Sequence, residues 1–285
     1  MRARVLLPLL TLVTMLLPAP PRARAADAGA GAAAFDHAHS AWQRLLEQAQ
    51  RDGLVDYEAL RDQPAALDAY LERLARVDEG DYTAWTPEQR QAFWLNAVNA
   101  FTLKAVADHY PFKRQWWRPA SHKYPANSVK QDPRFDEEVF TAVGQQVSLA
   151  EARVLALKAS DDPRLAFALT CACQGGPPLP TQAFTPEGLD AQLDAAARAF
   201  ALDPRRVSLE EREEVATLSP AFRDPRLGAP LVFLRRYLKT EQAAALEEKG
   251  WTIRWQKPDW ALDELGSREE GRGVKKILPA VGSLD

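Results

Sequence analysis

The stretch TPEQRQAFWLNAVNAFTLKAVAD, residues 86–108, predicts one long helix at the centre of the fold. Thr86 and Gln89 have the spacing of a capping box, and Pro87 occupies the first helical position, where a missing N–H is tolerated. The stretch is apolar nearly all round, which is typical of a helix buried on all its sides. We therefore expect the other elements to pack on this helix.

Shorter helices and a few strands are predicted around it. Helical spacing of apolar residues and helix-capping patterns indicate helices over 40–49, 64–77, 149–158, 186–201, 231–237 and 240–249, with another opening at 208–211. Strand-like runs indicate a hairpin over 139–147, a buried strand over 165–170 and a late strand over 251–255. Together they predict an α+β fold, a mainly helical single domain with a small mixed or antiparallel sheet.

The first 25 residues have the layout of a secretory signal peptide. Arg2 and Arg4 precede an apolar run, and Ala25 ends a stretch of small residues suited to cleavage. The run has about 13 residues where a membrane span needs about 20, so a retained anchor is only the alternative. The rest of the chain is predicted to divide into a flexible leader at 26–39, a folded domain at 40–265 and a loose tail at 266–285. We expect an exported protein, periplasmic or secreted, with no membrane span after signal cleavage.

The charge balance and the missing motifs exclude several function classes. The first 25 residues carry four arginines and no acid, so the remaining chain has 32 basic and 39 acidic residues, a formal charge of −7. That balance argues against a nucleic-acid partner, which selects a basic surface. The sequence contains no phosphate-binding glycine loop, no dinucleotide fingerprint, no serine-hydrolase elbow and no zinc-protease helix motif. We predict no cofactor.

Cys171 and Cys173 are the only cysteines, and they follow the predicted strand over 165–170. A bridge between residues two apart closes a small ring, so such a disulfide is expected to be reducible and not a structural staple. A reactive thiol needs a nearby base, usually histidine, and nothing in the sequence brings one to Cys171. We predict no metal site, because no further cysteine pair or histidine cluster completes one. Cys171 is therefore either an inert buried cysteine or a catalytic thiol.

Two other groups of residues are candidates for a site. Asn96 and Asn99 share one face of the long helix, where they either hold a neighbouring backbone or line a cleft. The segment 112–134 lacks periodicity and mixes aromatic with basic residues. It either binds an anionic or sugar-like ligand or is a solvated basic loop with its tryptophans packed beneath it. Its candidate ligand residues are Trp116, Trp117, Arg118 and His122.

Several segments together resemble the family DUF547, over about residues 40–265. The most specific are the run from Phe93 to Ala100, with Asn96 and Asn99, and the run from Phe167 to Ala172. Val55-Asp56-Tyr57, Pro177-Pro178-Leu179 and Asp259 to Asp263 also resemble the family pattern. The resemblance implies the family fold but no established activity. In some multidomain relatives the domain lies beside a glutaredoxin-like domain, which hints at thiol chemistry.

The chain departs from the family pattern at polar positions. Arg153 and Val154 replace an acidic residue and a histidine, Ala166 stands at a strand histidine, and Gly176 at a second cysteine. The resemblance leaves Cys171, Asn96, Asn99 and Arg164. Cys171 is the candidate catalytic residue, and the cleft-lining candidates are Asn96, Asn99, Arg164 and the neighbouring Cys173.

These losses remove the candidate general bases. The leading hypothesis is therefore a non-catalytic exported protein that keeps the fold and binds an unknown small molecule or an envelope protein. The alternatives are a thiol-dependent hydrolase or oxidoreductase using Cys171, and a structural partner in an envelope complex.

Overall fold

The computed structural model describes residues 34–247 and 250–266. The predicted signal peptide, most of the predicted leader and nearly all of the predicted tail lie outside these ranges. The helices are α1 Ser40–Ala49, α2 Tyr57–Asp62, α3 Ala65–Ala75, α4 Glu79–Ala84, α5 Pro87–His109, α6 Leu149–Lys158, α7 Leu189–Ala201, α8 Pro230–Arg235 and α9 Thr240–Ala245. The strands are β1 Gln50–Arg51, β2 Leu54–Val55, β3 Val139–Ala142, β4 Gln145–Ser148, β5 Val207–Glu210, β6 Val215–Leu218 and β7 Thr252–Trp255.

The predicted central helix is confirmed as α5, and its start is capped as expected. The Thr86 hydroxyl accepts a hydrogen bond from the Gln89 backbone N–H at 3.2 Å, and the Gln89 side chain accepts one from the Thr86 N–H at 2.8 Å. From Gln91 to Leu103 every side chain is buried. Helices α2, α3 and α6 pack against α5. This long helix therefore supplies the fixed frame for the loops that follow.

The α+β class is confirmed, with the strands distributed over three small sheets. β1 with β2 and β3 with β4 form antiparallel pairs, whereas β6 pairs antiparallel with β5 and parallel with β7. The predicted hairpin over 139–147 and the late strand over 251–255 are both present, in different sheets. Among the described residues, no helix combines the length and hydrophobicity needed to cross a membrane.

The predicted strand over 165–170 is wrong. Pro163–Phe167 is a 3-10 helix, begun by Asp162, whose carboxylate accepts a hydrogen bond from the Arg164 N–H at 2.8 Å. A short apolar run is compatible with a buried strand and with a buried helical turn. Here Leu165 packs in the core around α5 and Phe167 in a second core around α7 and β6, which buries the run on both sides.

One further expectation, a helix opening at 208–211, is corrected by strand pairing. The segment 208–211 was expected to open a helix, but residues 208–210 belong to β5, because pairing with β6 outweighs a local capping pattern. The chain leaves β2 at Val55, and the side chain of Asp56 accepts a hydrogen bond from the Ala59 N–H and starts α2. The end of the predicted leader also packs: His39 is buried and Phe35 contacts the α5 core.

Candidate functional site

The segment from Thr170 to Cys173 is attached to the middle of α5 by Asn99. The Asn99 side chain donates to the Ala168 carbonyl at 3.0 Å and accepts from the Thr170 N–H at 2.9 Å. Both groups are buried, so each hydrogen bond replaces one that water would otherwise make. The start of the cysteine loop is thereby held at a defined position on the long helix.

Asn96 makes the same kind of contact one helical turn earlier. Its side chain donates to the Phe184 carbonyl at 2.8 Å and accepts from the Phe184 N–H at 2.9 Å. The two asparagines lie on one face of α5, as the sequence predicts, and both are 1% exposed. Each side chain binds the backbone of a loop distant in sequence, so the structure places both in the loop-holding arrangement.

Cys171 and Cys173 are joined by a disulfide, with their Cα atoms 5.2 Å apart. Ala172 between them has φ +52°, in the left-handed region that disfavours side chains, and its N–H donates to the Thr170 hydroxyl at 3.0 Å. The Cys171 sulfur lies 3.5 Å from the Cys173 carbonyl oxygen, a contact and not a hydrogen bond because a disulfide sulfur carries no hydrogen. Cys173 is 4% exposed and Cys171 is half-buried.

Gly176 packs directly against the two sulfur atoms of the disulfide. A Cβ at this position would lie 2.2 Å from the Cys171 Sγ and 3.1 Å from the Cys173 Sγ. The neighbouring Gly175 leaves no room either, because a Cβ there would lie 2.6 Å from the Asp259 backbone nitrogen. The Gly175 N–H donates to the Asp259 carbonyl at 2.8 Å. The two glycines thus allow the C-terminal segment and the disulfide to approach the same turn.

The C-terminal segment that contacts this turn contains a buried carboxyl group, that of Asp263, which the sequence did not indicate as a site residue. Asp263 accepts a hydrogen bond from the Tyr57 hydroxyl at 2.7 Å, and its second oxygen has no hydrogen-bond partner among the described residues. Burial raises the pKa of Asp263 to about 6, although the Tyr57 hydrogen bond opposes the shift. The signal available in the sequence was the resemblance of Asp259 to Asp263 to the family ending.

Three of the four histidines have partners away from the cysteines. His39 bonds to the Tyr70 hydroxyl at 2.7 Å, and burial lowers its pKa to about 4. The His37 ring contacts the Trp85 ring, and His109 bonds to Glu138 at 2.8 Å. His122 is exposed in a short 3-10 helix. In the part of the chain that the structure describes, no histidine hydrogen-bonds to either cysteine.

Arg164 and Arg153 are held by carboxylates. Arg164 forms ion pairs with Asp162 at 2.7 Å and with Asp190 at 2.6 Å, and the hydrogen bond with Asp162 raises the pKa of Arg164. Arg153 pairs with Asp136 at 3.0 Å. Arg164 links its own 3-10 helix to the first turn of α7, and Arg153 links α6 to the segment 135–137, so these contacts are structural ion pairs.

The predicted ligand loop places its tryptophans in solvent. Trp116 is 82% and Trp117 is 64% exposed, so the alternative with tryptophans packed beneath the loop is wrong. Arg118 is half-buried and donates to the Gln131 carbonyl at 2.9 Å, whereas His122 is exposed. The structure does not join this loop to Cys171 by any hydrogen bond among the described residues.

One group of side chains has the composition of a metal site. His109, Asp132 and Glu138 each offer a ligand atom, and these atoms lie within 4.8 Å of one another. The group is partly exposed, and His109 already bonds to Glu138. The two cysteines offer no thiolate ligand while they are joined.

A separate surface groove of about 480 Å³ between α1 and the segment 182–192 contains none of the predicted site residues.

The comparisons with known proteins place the core of the domain in one family. Residues 82–201 match the family described as a protein of unknown function, DUF547, and this range includes α5, the β3–β4 hairpin, the cysteine loop and α7. No curated protein and no solved structure matches the chain. Residues 82–201 of the chain therefore form a DUF547 domain.

Proposed function

We propose that the protein is exported and acts by thiol–disulfide exchange, with Cys171 and Cys173 as its redox couple. The observation that carries this proposal is the disulfide between residues two apart, in a loop that Asn99 holds against α5. It develops the thiol-dependent alternative from the sequence, with Cys173 as the partner of Cys171 in place of a histidine.

The backbone of the loop supports a disulfide that is readily reduced. Ala172 is held at φ +52°, where a residue with a side chain loses about 1–2 kcal/mol. Reduction opens the ring and allows Ala172 to leave this conformation. On this proposal the strain is present in the oxidised form and is released on reduction. A disulfide under strain has a more oxidising potential than a structural one.

The exchange is balanced in atoms and electrons with a partner that carries two thiols. A partner thiolate attacks one sulfur of the Cys171–Cys173 bond, forming a mixed disulfide, and the other cysteine leaves as a thiolate that takes a proton. The second partner thiolate then attacks the partner's own sulfur in the mixed disulfide and releases the first cysteine. The partner is oxidised by two electrons, and the Cys171–Cys173 pair is reduced by two.

The exposure of the two cysteines predicts which sulfur reacts. Cys171 is half-buried, whereas Cys173 is 4% exposed. A partner thiolate needs access along the sulfur–sulfur bond, so we expect attack on Cys171 with Cys173 as the leaving group. Cys171 is then the residue that carries the mixed disulfide.

Export to the periplasm or outside the cell is the setting that suits this chemistry. The N-terminal basic, apolar and small-residue regions have the order of a signal peptide. Disulfides form and persist in oxidising compartments, where substrate or partner proteins also carry exchangeable cysteines. We infer that the partner is an exported protein dithiol.

The test is equilibration in glutathione buffers followed by alkylation and mass measurement of the Cys171–Cys173 peptide. We expect half-reduction at a potential between about −270 and −120 mV, the range of exchange proteins. In Cys173→Ser the remaining thiol should react with a disulfide reagent faster than the thiol left in Cys171→Ser. A pair that stays oxidised below about −300 mV would falsify the proposal, because that is the range of structural disulfides.

The non-catalytic binding hypothesis is the second candidate, and a different observation favours it. The polar side chains near the loop are engaged, since Asn96 and Asn99 hold backbone and Arg164 is paired with Asp162 and Asp190. A hydrolase needs a base beside its thiol, and within the described ranges no histidine hydrogen-bonds to either cysteine. A reduction potential below about −300 mV in the glutathione experiment, the range of structural disulfides, would therefore favour a protein that binds a small molecule or an envelope partner.

A further inference from the structure

We propose that residues 113–123, which we name the tryptophan loop, bind the surface of a bilayer that contains anionic phospholipids. The Trp116 and Trp117 rings enter the interface, and the basic side chains around them face the lipid phosphates. This surface is separate from the cysteine pair, so the proposal stands independently of thiol exchange.

The first observation is the exposure of the two tryptophans. Trp116 is 82% and Trp117 64% exposed, and their rings meet edge to face with centroids 6.0 Å apart. Tryptophan has a large apolar body, and all other phenylalanine, tyrosine and tryptophan side chains among the described residues are buried or half-buried. Two adjacent exposed indoles form an apolar surface that loses contact with water when a partner covers it.

The second observation is a separation of charge along the chain. Residues 111–131 contain five lysines and arginines and no acid, although the chain as a whole is acidic. Lys113, Arg114 and Lys123 are exposed, and within the described ranges none of them forms an ion pair. The nearest acids in sequence, Asp108 and Asp132, lie outside this segment. The loop therefore presents free positive charge beside the two indoles.

The third observation is that the loop is held in place before any partner binds. The buried Gln131 side chain donates to the carbonyls of Ser121 at 3.0 Å and Pro125 at 2.8 Å. The Ser121 hydroxyl donates to the Gln115 carbonyl at 2.8 Å, and Arg118 donates to the Gln131 carbonyl. Because the backbone is already ordered, binding through the tryptophans loses little conformational entropy.

An anionic bilayer fits both parts of this surface. Tryptophan prefers the membrane–water interface, where its ring lies among the headgroups and its N–H meets water. Lysine and arginine beside it are attracted to anionic headgroups, and lasting attachment takes two such signals together. An anionic polymer would use the cations alone, so the contribution of the tryptophans separates the two partners.

The test is co-sedimentation of the full chain with vesicles of phosphatidylcholine alone or with phosphatidylglycerol added. The apolar run near the N-terminus would bind both vesicles, and the four arginines around it would favour the anionic ones. The readout is therefore the change in binding between wild type and each loop variant. We expect at least tenfold tighter binding to the phosphatidylglycerol vesicles. Each removed cation should weaken that binding roughly fivefold, so Lys113→Glu with Lys123→Glu should lower it at least 25-fold. Trp116→Ser with Trp117→Ser should lower it roughly tenfold or more.

Matched controls and contrary outcomes are available on the same chain. Arg212→Glu and Leu202→Ser change an exposed cation and an exposed apolar residue elsewhere, and neither should alter the preference. Equal binding to both vesicles, or a preference that survives both loop double variants, overturns the proposal. So does binding to soluble polyglutamate that needs Lys113 and Lys123 but is unchanged by the tryptophan substitutions, because that assigns the loop to an anionic polymer.

Discussion

Gly176→Ala changes the contact on which the oxidised loop depends most directly. The added Cβ would lie 2.2 Å from the Cys171 Sγ, about 1.2 Å inside the 3.4 Å at which ordinary contact begins. It would also lie 3.1 Å from the Cys173 Sγ. In the disulfide both sulfurs are fixed by the bond between them, so neither can turn away from the new methyl group.

The magnitude follows from the difference between the two redox forms. Overpacking in a closely packed site costs about 1–3 kcal/mol. In the dithiol form the Cys171 side chain can rotate to another staggered rotamer and avoid the methyl group. The cost therefore falls mainly on the disulfide. Since 30 mV corresponds to about 1.4 kcal/mol for two electrons, the potential should become more oxidising by about 20–65 mV.

The assay is a redox titration of wild type and Gly176→Ala in glutathione or dithiothreitol buffers, with alkylation of the free thiols. Urea unfolding of both proteins in the reduced state checks that the substitution leaves the dithiol form intact. Gly80→Ala in α4 is a matched control, since its added Cβ meets only the end of the Asp78 side chain. An unchanged or more reducing potential in Gly176→Ala would refute the packing of this glycine on the disulfide.

Three further predictions test the loop and the buried acid. Ala172→Gly removes the side chain from the left-handed conformation, so the potential should become more reducing by about 20–45 mV. An unchanged value would mean that Ala172 keeps this conformation after reduction. Asn99→Ala leaves the buried Ala168 carbonyl and Thr170 N–H without partners and should lower the free energy of unfolding by about 3 kcal/mol in urea, whereas a loss below about 1 kcal/mol contradicts the holding role. Burial raises the pKa of Asp263 to about 6, so folding favours its protonated form. This contribution to stability is complete at low pH and is lost as the pH rises from about 4 to 6, which lowers the free energy of unfolding by roughly 3 kcal/mol. Asp263→Asn should abolish that fall in urea titrations over this pH range, and a fall of the same size in the variant would assign it to other groups.

The features that could be predicted from the sequence are those set by neighbouring residues. The capping box of Thr86 and Gln89, the proline at the helix start and the uninterrupted apolar run predict α5 because they act within a few residues. Ser148 and Glu151 predict the start of α6 in the same way. Asn96 and Asn99 could be placed on one face of α5, but their partners could not be identified, because the loops that they bind lie 69 to 88 residues away.

The cysteine loop shows what sequence spacing leaves open. The spacing of the two cysteines predicted only that any disulfide between them would be a small, reducible ring, and the structure joins them. Their accessibility, and the absence of a histidine bonded to them among the described residues, depend on segments that the chain brings together only on folding. The carbonyl of Asp259 is an example, since it accepts a hydrogen bond from the Gly175 N–H in the turn beside the disulfide.

The sequence by itself determined the long central helix, the β3–β4 hairpin and the mainly helical α+β class, because local capping and hydrophobic periodicity dominate there. Tertiary structure decided that the apolar run 165–170 begins as a 3-10 helix, because Leu165 and Phe167 enter two different cores and burial on both sides does not distinguish a strand from a helical turn. It also decided the position of Asp263, whose hydrogen bond to Tyr57 spans 206 residues. Such long-range contacts leave no local pattern, since their free energy arises only when distant segments meet.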